Sequence, residues 1–452
     1  MINKMFGRRF SGTRAKLARG CCGGLFSRNG FSCEIVTRRC SDHSLELLTR
    51  RAHRELWHAL EMTFPSLRHR FPGVRDGWAR FDGPAGTQPV DVAVHAVSEW
   101  MASGNNAAAG GPFAAAQACA SQLDRARVAV GTLLGADPEG ISFGPNMTSI
   151  TLSFTRAIAA TLSPGDRVVG TTLDHDANVS PWRIACESAG AEHVLAEFDP
   201  DTGVLPVTNV TALINEHTKW VAIPGASNLL GTVPDHAPII AAAHAVGALV
   251  YIDAVAWAPH KPIDIAALGC DALVTSPYKW YGPHSGVLYV DPGLMASLAL
   301  VKIKASSGVG PGRFETGMPN FEGIAGIEAT ARFLAEEGMN RIEAAESEVF
   351  EPLLTGLPSI RGVKLWGVAG MDGRAPTAAF TITGISPAEA SVAMAAEKIA
   401  VWDGHNYALN VVKQLGLEDS GGVIRAGISR YVEHDDVARL LTAVERLAKR
   451  GR

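Results

Sequence analysis

Short apolar runs alternate with longer helical stretches from about residue 80 to residue 290. The runs predict strands at Ile141–Phe143, Arg167–Gly170, Trp220–Ile223, Ala248–Ile252, Ala272–Thr275 and Gly286–Val290. The stretches between them predict helices that include Phe113–Leu134, Met147–Leu162 and Ala237–Val246. Strands that alternate with helices form a mostly parallel sheet with helices on both faces, so the pattern predicts an α/β fold. Such sheets bind ligands beyond the carboxyl ends of their strands.

The chain after residue 290 has a different pattern. Residues 291–322 are less regular, and a helix is predicted at Ile324–Glu337. A smaller α+β unit follows, with predicted strands near Gly362–Trp366, Ala378–Ile382 and Ile424–Ile428 and a last helix at Asp435–Ala448. One more helix is marked by Ser386 as its N-cap, Pro387 in its first turn and Glu389 completing a capping box. We therefore predict a large domain at residues 44–325 and a small domain at residues 326–452.

The first 43 residues form a basic extension. Residues 1–40 hold nine Lys or Arg but a single acid, Glu34, and they have no helical or strand periodicity. A targeting presequence, a disordered extension and a translated stretch upstream of the true start remain open as interpretations. Cysteines at positions 21, 22, 33 and 40 lack Cys-x-x-Cys spacing, so we predict no zinc site there. The next segment, Leu45–Met62, is predicted to be an amphipathic helix.

Composition indicates a globular protein. Of the 452 residues, 47% are hydrophobic and 19% charged, and the net charge of −4 favours neither nucleic acid nor an anionic membrane as a partner. No stretch reaches the roughly 18 to 20 apolar residues that span a bilayer. We expect buried thiols at Cys119, Cys186 and Cys270, and the sequence implies no disulfide framework. A cytoplasmic location is favoured, with organellar targeting by the basic extension left open.

Lys279 stands out among the polar residues at strand ends. It follows the predicted strand Ala272–Thr275, within Ser276-Pro-Tyr-Lys-Trp-Tyr-Gly-Pro283. Aromatic neighbours and prolines can desolvate an amine, which lowers its pKa and favours the neutral, nucleophilic form. Most such lysines simply extend to solvent, so Lys279 alone does not define a site.

An aspartate gives Lys279 a chemical context. Asp253 closes an apolar strand 26 residues earlier, about one βα crossover away. Two neighbouring strands would then present an amine and a carboxylate at the same sheet edge. Pyridoxal 5′-phosphate (PLP) needs this pair, a lysine for its aldehyde and a carboxylate for its ring nitrogen. His175, in a loop after a strand, could stack on the cofactor ring and shuttle protons.

Six motifs occur in the order found in a known family. They are His175-Asp-Ala-Asn-x-x-Pro-Trp, Ser227-Asn228-x-x-Gly231, Ile252-Asp253, Ser276-x-x-Lys279-x-x-Gly282-Pro283, Arg313-Phe-Glu-x-Gly317-x-Pro319-Asn320 and Arg425-Ala. On these motifs, residues 78–450 resemble class V aminotransferase-fold enzymes, and most of all the group II cysteine desulfurases and selenocysteine lyases. The resemblance implies PLP-dependent fold type I, with a mostly parallel seven-stranded sheet in a large domain and a smaller C-terminal α+β domain. It also implies a homodimer, since the Arg313–Asn320 motif reaches the neighbouring subunit in such enzymes.

The resemblance also implies a role for each matching residue. Lys279 would hold PLP covalently and move the Cα proton of an amino-acid substrate. The other implied roles are Asp253 at the ring nitrogen, His175 stacked on the ring, Asn228 near the 3′ oxygen, Ser276 and the Asn146-Met147 turn at the phosphate, and Arg425 on the substrate carboxylate. The Asn146-Met147 placement also follows from physics, because a helix N-terminus attracts anions. No metal site is predicted.

Three positions depart from the family. Tyr407 stands in the loop where the desulfurases carry a catalytic cysteine, just after a Gly-His pair, and no cysteine follows Cys270. Ala256 replaces a Gln near the ring oxygen, and Met318 replaces a Thr that reaches the partner's phosphate. A phenol cannot carry a persulfide, so desulfurase chemistry with protein-bound sulfur is not expected. Tyr407 could shape the pocket, donate a hydrogen bond to the substrate or act as an acid opposite Lys279.

The functional prediction is a PLP-dependent enzyme that acts at Cα of an amino acid. A carbon–sulfur lyase without the persulfide cysteine is favoured. An epimerase related to isopenicillin N epimerases and an aminotransferase are the alternatives. A catalytically silent PLP-binding regulator is the alternative outside enzymes, although a silent protein would have no need of Lys279, Asp253, His175 and Arg425 together.

Overall fold

The computed structural model describes residues 64–451. The strands within this range are β1 (Ala79–Arg80), β2 (Ile141–Gly144), β3 (Arg167–Thr171), β4 (Glu192–Ala196), β5 (Thr218–Pro224), β6 (Leu249–Asp253), β7 (Ala272–Thr275), β8 (Gly286–Val290), β9 (Val363–Trp366), β10 (Thr377–Ile382), β11 (Ile399–Ala400), β12 (Trp402–Gly404) and β13 (Val423–Gly427). The α-helices are α1 (Asp91–Ala102), α2 (Ala114–Leu134), α3 (Met147–Ala159), α4 (Ser180–Ala189), α5 (Val207–Thr211), α6 (His236–Ala245), α7 (Ile265–Leu268), α8 (Pro292–Ser297), α9 (Phe321–Glu337), α10 (Met339–Ser359), α11 (Pro387–Ala395), α12 (Leu409–Gln414) and α13 (His434–Arg450). The predictions for residues 1–43 and for the helix Leu45–Met62 lie outside the described residues.

The large sheet has seven strands in the order β2-β8-β7-β6-β5-β3-β4. Strands β7, β6, β5, β3 and β4 run parallel, and β8 is antiparallel to both of its neighbours. Apart from the edge strand β4, these strands are mostly buried apolar runs, as expected of a sheet covered on both faces. The α/β prediction with a mostly parallel seven-stranded sheet is confirmed.

Helices cover both faces of this sheet. On one face, Phe154 of α3 and Trp182 of α4 pack with Trp220 and Tyr251 of the sheet, with ring centroids 5.2 to 6.1 Å apart. On the other face a larger core includes buried side chains of α2 and α9, and α9 packs against α1 and α2. The cluster of rings behind β5 and β6 gives the carboxyl ends of these strands a closely packed support.

The C-terminal part contains the second sheet, which is antiparallel with the order β12-β13-β10-β9. A third, two-stranded sheet pairs β1 with β11, so the segment before residue 82 packs with this part of the chain. The capping box at Ser386 is present as predicted, with Glu389 bonded back to the Ser386 backbone. The smaller α+β unit is therefore confirmed, whereas the domain boundary after residue 325, which falls inside α9, stays a prediction.

Several elements were not predicted from the sequence, among them strand β4 and helix α10. Strand β4 lies at the edge of the large sheet, and its Glu192 is exposed, so it lacks a continuous apolar run. Helix α10 contains Pro352 and Pro358, residues that ordinarily indicate helix ends. Its apolar face is nevertheless buried against α13 and β9, which stabilises the helix despite the two prolines.

Two features of residues 64–451 bear on wider functions. No helix in this range is both long enough and apolar enough to cross a membrane. No group of three or more His, Cys, Asp or Glu side chains in the same range is arranged to hold a metal ion. The three cysteines predicted to be buried thiols, Cys119, Cys186 and Cys270, are buried and free.

Candidate active site

Three predicted site residues lie at the carboxyl edge of the large sheet. Asp253 is the last residue of β6 and pairs in register with Val274 of β7. Lys279 ends a short 3₁₀ turn, Pro277–Lys279, which begins two residues after β7. His175 follows β3 and precedes the turn Asp176–Asn178. We call His175, Asp253 and Lys279 the strand-end group.

The strand-end group borders a cleft of about 660 Å³, counting the open space at its mouth. The lining residues are Gly83, Pro84, Met147, Thr148, His175, Pro224, Ala226, Asn228, Asp253, Val255, Ala256, Pro259, His260, Tyr278, Lys279 and Thr377. Most of them follow strands of the large sheet, as expected for a ligand site in this type of fold.

The Lys279 amine has a lowered pKa. Burial lowers its pKa to about 7, helped by the positive charge of Arg425 and opposed by Asp253. Its Nζ donates a hydrogen bond to the carbonyl of Pro84 and lies 5.3 Å from the centre of the Tyr278 ring. At neutral pH a large share of this amine is therefore unprotonated and nucleophilic.

The Pro84 carbonyl, which accepts the hydrogen bond from Lys279, is positioned by close packing of two backbone segments. Pro84 packs directly over Gly427 of β13, where an added Cβ would lie 2.2 Å from the Pro84 ring. The Gly427 amide donates to the Phe81 carbonyl over 2.9 Å. A side chain at position 427 would thus displace the segment that contacts Lys279.

Asp253 is a buried carboxyl group with few partners. It is 6% exposed, and its Oδ1 accepts one hydrogen bond, from the Val255 amide at 3.0 Å. Burial raises its pKa to about 6, although this hydrogen bond and the charge of Lys279 favour the ionised form. A positively charged group in the cleft would lower this pKa further and keep Asp253 ionised.

His175 is held in one tautomer. Its Nδ1 accepts a hydrogen bond from the Ala177 amide at 3.0 Å, so the proton of the neutral ring lies on Nε2. Burial, together with the charges of Lys279 and Arg425, lowers its pKa to about 4. His175 is therefore neutral at physiological pH and can stack and donate from Nε2.

The buried Asp174 supports the loop that carries His175. Its Oδ1 accepts from the Asn178 side-chain amide at 2.7 Å, and its Oδ2 accepts from the Thr171 hydroxyl. Burial raises the pKa of this carboxyl group well above its usual value. These bonds tie the start and the end of the loop to each other.

Arg425 is a buried cation without an anion. It is 4% exposed, and its Nη1 donates to the Asn228 carbonyl at 2.9 Å. No carboxylate of residues 64–451 lies within 4 Å of its guanidinium, and its Nε has no partner there. Burial lowers its pKa to about 9. Since an unpaired buried charge is costly, this arginine is suited to an anionic ligand.

Asn228 lies between Arg425 and the loop that carries Tyr407. Its Nδ2 donates to the Asn406 carbonyl at 2.7 Å. Its Oδ1 is buried and has no partner among the described residues. Because buried polar atoms are normally hydrogen-bonded, this oxygen marks a place where a donor group of a ligand would fit.

The residues predicted at the phosphate lie at the start of α3. Ser276 is fully buried, and its hydroxyl accepts from the Met147 amide at 3.2 Å. Asn146 caps the helix, with its Oδ1 accepting from the Ser149 amide at 2.9 Å. Met147 and Thr148 line the cleft, whereas Ser276 and Asn146 do not. The positive end of the α3 dipole thus faces the cleft.

Residues 405–408, which we call the Tyr407 loop, lie between β12 and α12, beside His175. The Tyr407 ring stacks on the His175 ring, with centroids 5.4 Å apart and planes at 28°. The Tyr407 carbonyl accepts from the Asp176 amide at 2.8 Å. Asn406 and Tyr407 both have positive φ, 50° and 60°, and the Tyr407 side chain is 66% exposed. The loop is attached to the site by its backbone, and its aromatic ring remains open to solvent.

Sequence reasoning missed several residues that line the cleft. Gly83 and Pro84 were missed because they approach from the segment before α1, far from the strand ends in sequence. Thr148 could have been found, since a hydroxyl in the first turn of a helix is a common anion ligand. His260 gave a weaker signal, a histidine seven residues after Asp253.

Comparison with known proteins bears on this arrangement. The family model of aminotransferase class-V matches residues 80–440. The chain belongs to the class V aminotransferase family. An uncharacterized protein of Mycobacterium tuberculosis (strain CDC 1551 / Oshkosh) is 31% identical over 394 residues, which cover 83% of this chain and 97% of that protein.

Two named relatives extend the comparison. A probable cysteine desulfurase of Mycolicibacterium paratuberculosis (strain ATCC BAA-968 / K-10) is 32% identical over 407 residues, covering 87% of this chain but 58% of that protein. The crystal structure of an Escherichia coli cysteine desulfurase superposes with a TM-score of 0.77 at 26% identity, covering 84% of this chain and 97% of that chain. The predicted family, enzyme class and PLP cofactor are confirmed. The roles of the individual site residues stay predictions.

Proposed function

We propose that this member of the class V aminotransferase family cleaves a carbon–sulfur bond of an amino acid without forming a protein-bound persulfide. The proposal depends above all on one observation. The nucleophilic Lys279 amine and the Asp253 carboxyl group line one cleft. The unpaired Arg425 guanidinium is hydrogen-bonded to the carbonyl of Asn228, which lines the same cleft. Together they provide for a carbonyl cofactor, its ring nitrogen and the carboxylate of an α-amino acid.

The residues of the cleft fit PLP. Lys279 would bind the aldehyde, Asp253 would hold the ring nitrogen, and the unpartnered Asn228 Oδ1 would accept from a polar group at the ring edge. The start of α3 would face the phosphate. When bound, PLP supplies an electron sink for the negative charge that develops at the substrate Cα.

This chain's own groups would then bind the substrate and move its proton. Arg425 would bind the α-carboxylate by two parallel hydrogen bonds, which fixes the orientation of Cα. Lys279, with its pKa near 7, is suited to take the Cα proton and later return it. His175 would stack on the cofactor and donate from Nε2, its neutral state being set by burial.

The fate of sulfur separates this protein from the desulfurases it resembles. Tyr407 occupies the loop position where a thiol would accept sulfur, and Cys119, Cys186 and Cys270 are buried away from the cleft lining. Without an acceptor on the protein, L-cysteine and water would yield pyruvate, sulfide and ammonium. Epimerisation and transamination begin with removal of the same proton and are alternative outcomes of the test.

A substrate screen tests the proposal. The PLP-loaded protein would be incubated with L-cysteine, L-selenocysteine and other amino acids while pyruvate, sulfide, oxo acids and exchange of the α-proton with deuterium are measured. We expect pyruvate and sulfide in equal amounts from a sulfur amino acid. Racemisation of the amino acid without pyruvate would favour the epimerase. Stoichiometric conversion of the amino acid to its oxo acid would favour the aminotransferase. A persulfide on the protein would contradict the proposal.

A homodimer in the cytoplasm is a further part of the proposal. Four large apolar side chains are exposed in or beside the Arg313–Asn320 motif: Val301, Ile303, Val309 and Met318. Large exposed apolar side chains grouped in one segment of a chain favour a protein interface there. Light scattering should show twice the monomer mass, and a fully active monomer would contradict the dimer.

A further inference from the structure

One buried carboxyl group outside the cleft has two hydrogen-bond partners from the segments that build it. Glu346 lies on α10 and is 1% exposed. Its Oε2 lies 2.7 Å from Nδ1 of His260, and its Oε1 accepts from the Tyr281 hydroxyl at 2.8 Å. Both oxygens are thus engaged, each by a different segment of the chain.

The first partner belongs to the Asp253 segment. His260 lies seven residues after Asp253 and lines the cleft. The residues between them fold back on themselves, since the amides of Trp257 and Ala258 donate to the Ala254 carbonyl and that of His260 to the Trp257 carbonyl. Moving His260 would therefore move the compact turn that begins at Asp253.

The second partner belongs to the Lys279 segment. Tyr281 lies two residues after Lys279 and has φ of 72°, a conformation that residues other than glycine rarely adopt. Its amide donates to the Thr87 hydroxyl at 2.9 Å. Its own hydroxyl accepts from the Arg430 amide at 3.1 Å, which leaves the hydroxyl proton for Glu346. Side-chain and backbone bonds together hold a turn that the backbone alone would disfavour.

We propose that Glu346 is a positioning residue, which sets the spacing between Asp253 and Lys279 by holding the segment that follows each. The inference rests on the proposed function, because the distance it sets is the one between the ring-nitrogen partner and the aldehyde partner of PLP. Arg430, five residues after Arg425, joins the same network through Tyr281. The three segments that carry Asp253, Lys279 and Arg425 thus converge on Glu346.

A neighbouring pair provides a matched control. Glu343 lies one helical turn before Glu346, and its side chain pairs with Lys261, the residue after His260. This pair ties α10 to the same Asp253 segment, but it is partly exposed, and neither side chain forms a hydrogen bond or ion pair with residues 276–281 of the described chain. Like Glu346, Glu343 therefore contacts the Asp253 segment. Unlike Glu346, it does not link that segment to the Lys279 segment.

The chemistry of Glu346 distinguishes two substitutions. An ionised Glu346 accepts both hydrogen bonds, with the His260 proton on Nδ1. A glutamine accepts from Tyr281 with its oxygen and donates to His260 Nδ1 with its amide, so Glu346→Gln preserves both links with His260 in its other tautomer. Glu346→Leu has a similar volume and preserves neither link.

The experiment measures PLP binding and the visible circular dichroism of bound PLP in the full-length protein. We expect Glu346→Leu and Tyr281→Phe to raise the dissociation constant of PLP, at least tenfold for Leu, and to change the dichroism band. Glu346→Gln should keep the dissociation constant of PLP within threefold of the wild-type value and should keep the wild-type dichroism band. Glu343→Gln should match the wild type in both measurements. If Glu346→Leu does not fold, Tyr281→Phe still decides the question.

Two results would overturn the inference. The first is that Glu346→Leu and Tyr281→Phe both bind PLP with the wild-type dissociation constant and dichroism band, even if their melting temperatures are lower. Glu346 would then have only a structural role. A wild-type protein that binds no PLP would overturn the proposed function together with this inference. The first result leaves the proposed function intact, so the two failures are distinguishable.

Discussion

The strand-end group and the Tyr407 loop border the same site but are built in opposite ways. Asp253 is buried at the end of a central strand, and the pKa values of Asp253, Lys279 and His175 are all displaced by burial. Tyr407 is mostly exposed, on a loop next to the edge strand β12 of the smaller sheet.

This contrast indicates where shared and specialised chemistry reside. Groups that activate a cofactor need a fixed geometry and a low dielectric, which packed strand ends provide. A group that decides what happens to the leaving atom can lie on a loop, where a substitution costs little stability. The proposed replacement of a thiol by Tyr407 fits this division, since the loop's backbone bonds to Asp176 and Asn228 are independent of the side chain.

Lys279→Ala is the most severe way to break the strand-end group. Covalent binding of PLP should disappear, and turnover should fall by at least about 10³-fold, within the range for loss of a general acid–base group. Absorbance spectroscopy and steady-state kinetics measure both. Lys219→Ala, at the opposite end of β5, is the control and should behave as wild type. Retention of the visible band in Lys279→Ala would assign the cofactor to another lysine.

Asp253→Asn should leave PLP bound and slow the reaction. A neutral amide cannot keep the ring nitrogen protonated, and breaking a buried charge pair costs about 3 to 5 kcal/mol, or roughly 100-fold or more in rate. Comparison of kcat with the PLP dissociation constant separates chemistry from binding. Asp271→Asn, just before the start of β7, should leave kcat unchanged. An unchanged kcat in Asp253→Asn would contradict the assigned role.

The pH dependence of PLP uptake should report the pKa of Lys279. The cofactor-free protein should bind PLP covalently faster as pH rises, with a midpoint near 7, because the neutral amine is the reactive form. Asp253→Asn removes a negative charge and should lower this midpoint, whereas Arg425→Gln removes a positive charge and should raise it. Stopped-flow absorbance across pH measures all three. A wild-type midpoint near the ordinary lysine value would show that burial does not activate this amine.

Substitutions of Tyr407 should have the smallest effects. Tyr407→Phe preserves the ring that stacks on His175 and should change kcat/KM by less than about twofold. Tyr407→Ala removes this ring and should lower kcat/KM by an amount equivalent to about 0.5 to 1.5 kcal/mol. Mass spectrometry after incubation with L-cysteine should find no added sulfur on the wild type. A stoichiometric sulfur adduct on Cys119, Cys186 or Cys270 would restore desulfurase chemistry. A large loss in Tyr407→Phe would instead make the hydroxyl an acid in the reaction.

Most of the strand-end group could be predicted because its signals are local. Asp253 and Lys279 each follow a buried apolar run, and parallel strands bring their carboxyl ends to one edge. The start of α3 could also be predicted locally, because Asn146 is a favourable N-cap residue directly before an amphipathic stretch. The predicted neighbours β6 and β7 pair as expected.

The parts that escaped prediction depend on contacts between distant segments. The Pro84 carbonyl reaches Lys279 across 195 residues, and Glu346 reaches His260 across 86. No periodicity encodes such pairs, because they form only when whole elements pack. The stacking of Tyr407 on His175 likewise depends on how the smaller sheet packs beside the large one.

The proposed exchange of a thiol for a phenol would also change how the protein reacts with oxidants. Peroxides and alkylating reagents attack thiolates. These reagents therefore inactivate enzymes that carry sulfur on an exposed cysteine. Within residues 64–451 the only thiols are buried, and burial raises the pKa of Cys186 to about 11 and that of Cys270 to about 12, so these two are scarcely ionised at physiological pH. The cleft itself is lined by no cysteine. Its chemistry should therefore continue under oxidative stress that inactivates thiol-dependent members of the same fold.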